Sequence, residues 1–344
     1  MDLASRVLDW VAIRSVTGHE GDYGDALARR CRELGLDVER QELAPGRFNV
    51  LARGARPQVV VCTHLDTVPG DVPVSKTREA VFGRGACDAK GPAAAMLAAV
   101  ERLLAEGEDR VACLFTVGEE TDSAGAQLAN ARLAEPWDPR FVIVGEPTGN
   151  RFVAAGKGIY KARLVARGTA GHSSQSVGPS AVHELVTCAH RLLGESWGTH
   201  PVLGPGTMNI GTIRGGSAAN VVAESAECEV LVRTVVPIPD VHARVERALT
   251  PHVEIVKLHK GYGPIEFDVP PGEEGIPVAF GTDVPYMPRW GRPLLYGPGS
   301  ILDAHTDHEK VEVRSLERAV VDYERTLRQL LARVDEAAKA GGTR

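Results

Sequence analysis

The sequence predicts an α/β protein with a mainly parallel sheet, interrupted by an inserted ferredoxin-like unit, and three features carry that expectation. Short apolar runs at 59–61, 110–117 and 141–144 have the length and β-branched content of buried strands, and each gives way to a glycine-bearing loop. Helical segments alternate with these runs, which is the order that builds parallel sheets. Between residues 158 and 263 the order becomes strand, helix, strand, strand, helix, strand, the split unit of ferredoxin-like folds, and the first order returns afterwards.

Taken along the chain, residues 3–13 and 21–34 read as amphipathic helices, the second closed by Gly35. Residues 36–43 and 48–52 alternate as strands and lead into the run VVVCTHLDTVPG from Val59 to Gly70. The stretch GRGACDAKGP precedes a helix over 93–105 that is apolar nearly all round and therefore buried. A strand over 110–117, a helix near 124–133 and a strand over 141–144 complete the first part. The insertion comprises strands at 160–167, 207–213, 224–234 and 253–258 with helices at 180–193 and 241–249. A strand at 293–296 and a helix from 316 to about 337 close the chain. The expected domains are therefore 1–157 with 264–344, and an inserted 158–263 of independent-domain size.

Composition narrows the function. At 344 residues, 43% hydrophobic and 24% charged, the chain is globular and long enough for two cores. A net charge of −6 leaves no basic footprint, which argues against nucleic acid and anionic membranes as partners. The N-terminal MDLASRVLDWVAI lacks the basic-then-apolar pattern of a signal peptide, and no apolar run approaches a membrane span. Six scattered cysteines without CxxC spacing read as reduced, buried thiols of a cytoplasmic protein.

His64 and Asp66 stand two apart at a strand end, so both side chains leave on the same side, toward the space where open α/β sheets bind ligands. Alone, the pair reads equally as a strand-end His with a turn-capping Asp. The loops after the other strands add Asp88, Glu119, Glu120, Glu146 and His305. Five converging carboxylates without Lys or Arg among them repel one another and raise their pKa values. A pair of divalent cations removes that conflict; two His and several carboxylates suit zinc, with cobalt or manganese able to substitute.

The motifs HLDTVP, GRGACDAKG, GEE, GEPT, GHSS and GPG…AHT, in this order over nearly the whole chain, resemble the acetylornithine deacetylase and succinyl-diaminopimelate desuccinylase family of zinc-dependent deacylases and peptidases. The resemblance implies a dinuclear-zinc catalytic domain carrying a lid that also forms a homodimer contact. It implies that His64 and Glu146 hold one metal, Glu120 and His305 the other, and that Asp88 bridges them. Glu119 is then the general base, taking a proton from the attacking water and returning it to the leaving amine. Asp66 orients His64 through its other ring nitrogen. The lid residue His172 would stabilise the oxyanion, sometimes across a dimer, and Asn220 and Arg233 would hold the substrate carboxylate. Gly299, in Gly297–Gly299, would bring backbone close to the substrate. His183, His190, His242, His252 and His259 read as structural or solvent-facing.

The implied reaction is hydrolysis of the amide of an N-acyl amino acid, first N-acetylornithine in arginine biosynthesis. VPGDVPV with GRGACDAKGP is also similar to hydrolases that release lysine or ornithine from an amino-group carrier protein. Succinyl-diaminopimelate desuccinylase and dipeptidase activities remain alternatives, as does a non-catalytic member, which loss of a ligand or of the base would signal. Ala89 and His308 depart from residues common in the family, and 263–279 is Pro/Gly-rich where many relatives carry a helix.

Overall fold

The computed structural model describes residues 2–175, 177–258 and 261–341; His259 lies outside them. The chain divides into two compact units. The larger comprises Met1–Ala154, Phe267–Ile276 and Thr282–Arg344, the smaller Ala155–Glu266 and Pro277–Gly281. These limits differ from the expected 157/158 and 263/264. The two-residue strand Ile265–Glu266 pairs with Ala155 and Gly156 where the chain crosses between units. A pairing that short has no periodicity for a sequence to display.

The larger unit is built on a six-stranded sheet in the order Asp37–Ala44, Arg47–Arg53, Val111–Thr116, Val59–His64, Phe141–Val144, Arg292–Leu295. The last four pair in parallel and the first two strands add antiparallel. Val59–His64 and Val111–Thr116 are buried throughout, which explains their continuous apolar runs in place of alternation. Helix Gly91–Ala105 packs against helices Leu3–Val11 and Val313–Gly341, and it buries Ala, Leu, Met and Val on nearly every side. Helix Gly21–Glu33 lies on strand Arg47–Arg53, and Ala124–Ala131 on Asp37–Ala44. A small sheet that the sequence did not suggest joins Lys310–Glu312 to Ala80–Phe82 and Ser75–Lys76.

The smaller unit is a four-stranded antiparallel sheet ordered Thr207–Gly215, Ser225–Thr234, Gly158–Arg167, Val253–Leu258. Helices Ala181–Gly194 and Ile238–Ala248 cover one face. In Ser225–Thr234, Ala226, Cys228, Val230 and Val232 face the helices while the residues between them are only half-buried or exposed. That two-residue period is what a sheet with one covered face requires. The element order is the predicted βαββαβ. All six cysteines are free and buried, and no helix of the described residues is long and apolar enough to cross a membrane.

Candidate metal centre

The parallel register aligns the ends of three neighbouring strands. His64 is the last residue of its strand and pairs with Thr116, while Cys62 pairs with Val144. The loops that follow carry Glu119, Glu120 and Glu146 to the same end of the sheet. Asp88 arrives from the turn before helix Gly91–Ala105, and His305 from the loop after Arg292–Leu295, held at φ 63°, a left-handed conformation uncommon outside glycine.

Asp88 lies between the two imidazoles. Its Oδ1 is 2.9 Å from His64 Nε2 and its Oδ2 is 3.3 Å from His305 Nε2. Glu146 Oε2 lies 4.0 Å from His64 Nε2, and Glu120 Oε2 lies 3.0 Å from His305 Nε2. The structure thus brings His64, Asp88 and Glu146 together on one side and Asp88, Glu120 and His305 on the other. Among the described residues no Lys or Arg pairs with these carboxylates. Glu119 stands half-buried beside them.

The electrostatics follow from that imbalance. Burial acts to lower the His64 pKa, but Asp66, Asp88 and Glu146 overcome it and hold it well above the usual value. Hydrogen bonds that His305 donates to the carboxylates of Asp88 and Glu120 raise it to about 10. Burial raises Glu119 and Glu146 well above the carboxylate range; His64 opposes this, and Asp88 and Glu120 add to it in both cases. Asp88 is lowered despite its burial, because both imidazoles stabilise its charge. With no Lys or Arg at the site among the described residues, its charge is balanced by protons or by a bound cation.

The donor set fits divalent metal. Ligand atoms of His64, Asp88 and Glu120 all lie within 4.8 Å of one another, and imidazole nitrogen with carboxylate oxygen is a zinc-type set. His64 Nδ1 lies 2.9 Å from the main-chain oxygen of Asp66, which can only accept, so Nδ1 carries a proton and Nε2 is left to face the carboxylates. His64, Glu146 and one oxygen of Asp88 would hold one ion, and His305, Glu120 and the other oxygen a second.

Asp66 differs from expectation in how it acts. Its main-chain oxygen, not its carboxylate, is the near partner of His64; the carboxylate stands 3.6 Å away. The carboxylate instead accepts from the amides of Gly118 and Glu119 at 3.1 Å and Glu120 at 3.2 Å, and from Thr17 Oγ1 at 2.7 Å. One buried anion therefore fixes the loop that presents Glu119 and Glu120. Burial pushes Asp66 up, and His64, Thr17 and the Glu120 amide outweigh it, leaving the carboxyl below its usual range.

Gly299 has a role in closing the loops around the site. At φ 85° a Cβ there would lie 2.5 Å from Cys87 Cβ, so the glycine lets this loop close on the Asp88 turn.

In the smaller unit, His172 and Asn220 come together. His172 pairs with Val221 across two short strands, and Ser173 N donates to Asn220 O at 3.0 Å. His172 Nδ1 is engaged within its own loop, 2.8 Å from Ser174 Oγ and 3.2 Å from the Ser174 amide. Arg233 is not with them. It sits eight residues beyond Ser225 on one strand, about 27 Å at roughly 3.4 Å per residue, and the ladder from Arg167↔Ser225 to His172↔Val221 runs away from it. Arg233 Nη1 is buried with no hydrogen-bond partner among the described residues.

Among the buried acids that the sequence reading did not single out, Asp283 and Glu309 lie next to the site. Asp283 accepts from Thr116 Oγ1 at 2.7 Å, and burial raises it to about 6. Glu309 is buried against the Asp88 turn. Both lie in loops without period, and each is buried by residues remote in sequence, so no local signal separates them from surface acids.

The fold and this cluster define a metal-dependent hydrolase. The chain belongs to peptidase family M20/M25/M40, whose model matches residues 60–329; the acetylornithine deacetylase type is part of that superfamily. It is 34% identical over 330 residues to a peptidase M20 domain-containing protein of Schizosaccharomyces pombe, covering 92% of this chain and 81% of that one. It is 35% identical over 365 residues to a probable carboxypeptidase of Aspergillus flavus, covering 92% and 87%. A tripeptidase structure from Staphylococcus aureus superposes with a TM-score of 0.78 at 22% identity, over 94% of this chain and 96% of that chain. A dinuclear metal-binding M20 peptidase from Bacillus subtilis gives 0.70 at 14%, over 94% and 96%. Both structural likenesses are likenesses of fold.

Proposed function

We propose that the chain hydrolyses the amide bond joining an acyl group to the α-amino group of an amino acid, with N-acetylornithine the first substrate to test. The observation that carries this reading is Asp88 shared between two imidazoles, with the Glu119 carboxyl interacting electrostatically with it. Two zinc ions, when bound, supply activation of water and polarisation of the scissile carbonyl. Glu119 takes the proton from the attacking water and returns it to the leaving nitrogen, which departs as the free amine while the acyl group leaves as a carboxylate. Asp66 keeps Glu119 in place through the loop amides. His172, whose Nδ1 is engaged by Ser174, is assigned the developing oxyanion through its other ring nitrogen. Arg233 is assigned the substrate carboxylate, which would satisfy its orphaned Nη1.

A second reading has its own support. Relatives at 33–35% identity are named probable carboxypeptidases, so a short peptide that loses its C-terminal residue is the other substrate class. Both classes present an amide next to a free carboxylate.

We extend the proposal to a homodimer. The separation of Arg233 from His172 and Asn220 supports a second copy supplying the latter pair. Edge strand Thr207–Gly215 exposes Ile213, and helix Ala181–Gly194 exposes Val186 and Leu193. Sedimentation at micromolar concentration should give twice the chain mass; a monomer with full activity contradicts this extension.

The decisive assay is amine release from N-acetylornithine, N-acetylcitrulline, N-acetyl-lysine, N-succinyl-diaminopimelate, a γ-glutamyl-lysine mimic of a carrier-protein linkage, and short peptides. It is run with zinc or cobalt and repeated with chelator. Chelator-sensitive release from an N-acyl amino acid supports the first reading. Release from peptides alone replaces it with the second, and turnover unchanged by chelator with no metal bound contradicts both.

A further inference from the structure

We propose that Glu309 is a positioning residue for the metal centre, clamping the turn that presents Asp88 to the loop that presents His305. The inference rests on the metal-centre reading above. Asp88 and His305 come from distant parts of the sequence, yet Oδ2 of one and Nε2 of the other stand 3.3 Å apart. Something must hold the two loops in register.

Main-chain pairing does part of this. Strand Lys310–Glu312 pairs with Ala80–Phe82, and Gly83 N donates to the main-chain oxygen of Glu309 at 3.1 Å. Where that ladder ends, the Glu309 side chain turns inward and is 1% exposed. Oε1 accepts from the consecutive amides of Cys87 and Asp88, both at 3.2 Å. Oε2 accepts from Arg84 Nη1 at 2.8 Å.

Consecutive N–H groups directed at one anionic oxygen form an anion cradle. Here a side chain of the same protein fills it, and one of the two amides is that of Asp88 itself. Holding that amide restrains the Asp88 backbone, and with it the carboxylate that stands between His64 and His305. Arg84 balances the buried charge. A carboxylate that served only as a counter-ion to Arg84 would leave Oε1 free for other partners. Here it is spent on the Asp88 turn.

The test titrates the metal-free full-length chain with Co2+, followed by visible absorption and chelator competition, with the melting temperature of the metal-free protein measured alongside. Glu309→Ala removes both contacts and should weaken Co2+ binding by about 10- to 100-fold, the usual effect of losing a partner that orients a ligand. Glu309→Gln keeps one oxygen for the amides but loses the charge-assisted contact to Arg84, and should weaken binding by only about 3- to 10-fold. This partial rescue, with a shifted cobalt spectrum in the Ala variant, supports positioning. Wild-type cobalt affinity in both variants, with only the melting temperature lowered, overturns it. If the Ala variant does not fold, wild-type affinity in Glu309→Gln alone overturns it. A wild-type chain that takes up no cobalt overturns the metal-centre reading instead, so the two failures are distinct.

Discussion

Two sets of carboxylates in the larger unit contrast in how their charge is met. Glu20 and Glu309 each meet an arginine: Arg47 reaches Glu20 at 2.8 Å and Arg84 reaches Glu309 at 2.8 Å. Asp88, Glu119, Glu120 and Glu146 meet no Lys or Arg among the described residues, and only two imidazoles stand among them. An arginine-paired acid is complete as folded. The second group is complete only with added positive charge, as protons or as metal. The difference separates acids that hold the fold together from acids kept for chemistry.

The comparison can be broken at several points. The largest expected effect is on turnover: Glu119→Gln should lower kcat by about 10²- to 10⁴-fold, the range for losing a general base, with metal content unchanged. Undiminished kcat would remove Glu119 from the mechanism. Next comes a pair of opposite signs, read by urea unfolding of the metal-free chain. Glu20→Gln should destabilise by about 1–3 kcal/mol, less than the roughly 3–5 kcal/mol for breaking a fully buried pair because Arg47 is 22% exposed. Glu146→Gln removes a buried carboxyl that no Lys or Arg among the described residues meets and should stabilise by about 1 kcal/mol. Equal signs would erase the distinction. Gly299→Ala, which meets Cys87 and an unfavourable φ, should cost about 1–2 kcal/mol; an unchanged midpoint would show that the two loops are not tightly closed.

The smallest expected signal is a pH slope, because neighbouring carboxylates share the titration. Asp283 is raised from 3.8 to about 6, so the folded metal-free chain binds this proton more tightly than the unfolded chain does. Its stability should therefore fall as pH rises between those values. Asp283→Asn, which can still accept from Thr116, should flatten that slope. The same slope in the variant would assign the titration to other groups.

The larger unit's sheet was legible because buried parallel strands leave apolar runs, and its register then dictates which loops share an end. His64, Glu119, Glu120 and Glu146 could be placed near one another on that basis alone. The alternation in Ser225–Thr234 likewise announced a sheet with one covered face. Contacts made by main chain, or by residues far apart in sequence, were not legible. That Asp66 holds Glu119 and Glu120 through three amides depends on loop geometry, and residue types do not encode it locally. Glu309 reads as a surface acid beside Lys310 until the pairing with Ala80–Phe82 carries it inward. The separation of Arg233 from Asn220 was implicit in strand length, but motif matching alone groups them.

The central claim is that two ions share Asp88. It is tested most directly by counting zinc equivalents bound to the metal-free chain at equilibrium dialysis, for wild type, His305→Ala and Asp88→Ala. The account predicts two equivalents for wild type, one for His305→Ala and no tight binding for Asp88→Ala. Saturation of the wild type at one equivalent, or two equivalents retained by Asp88→Ala, would contradict it.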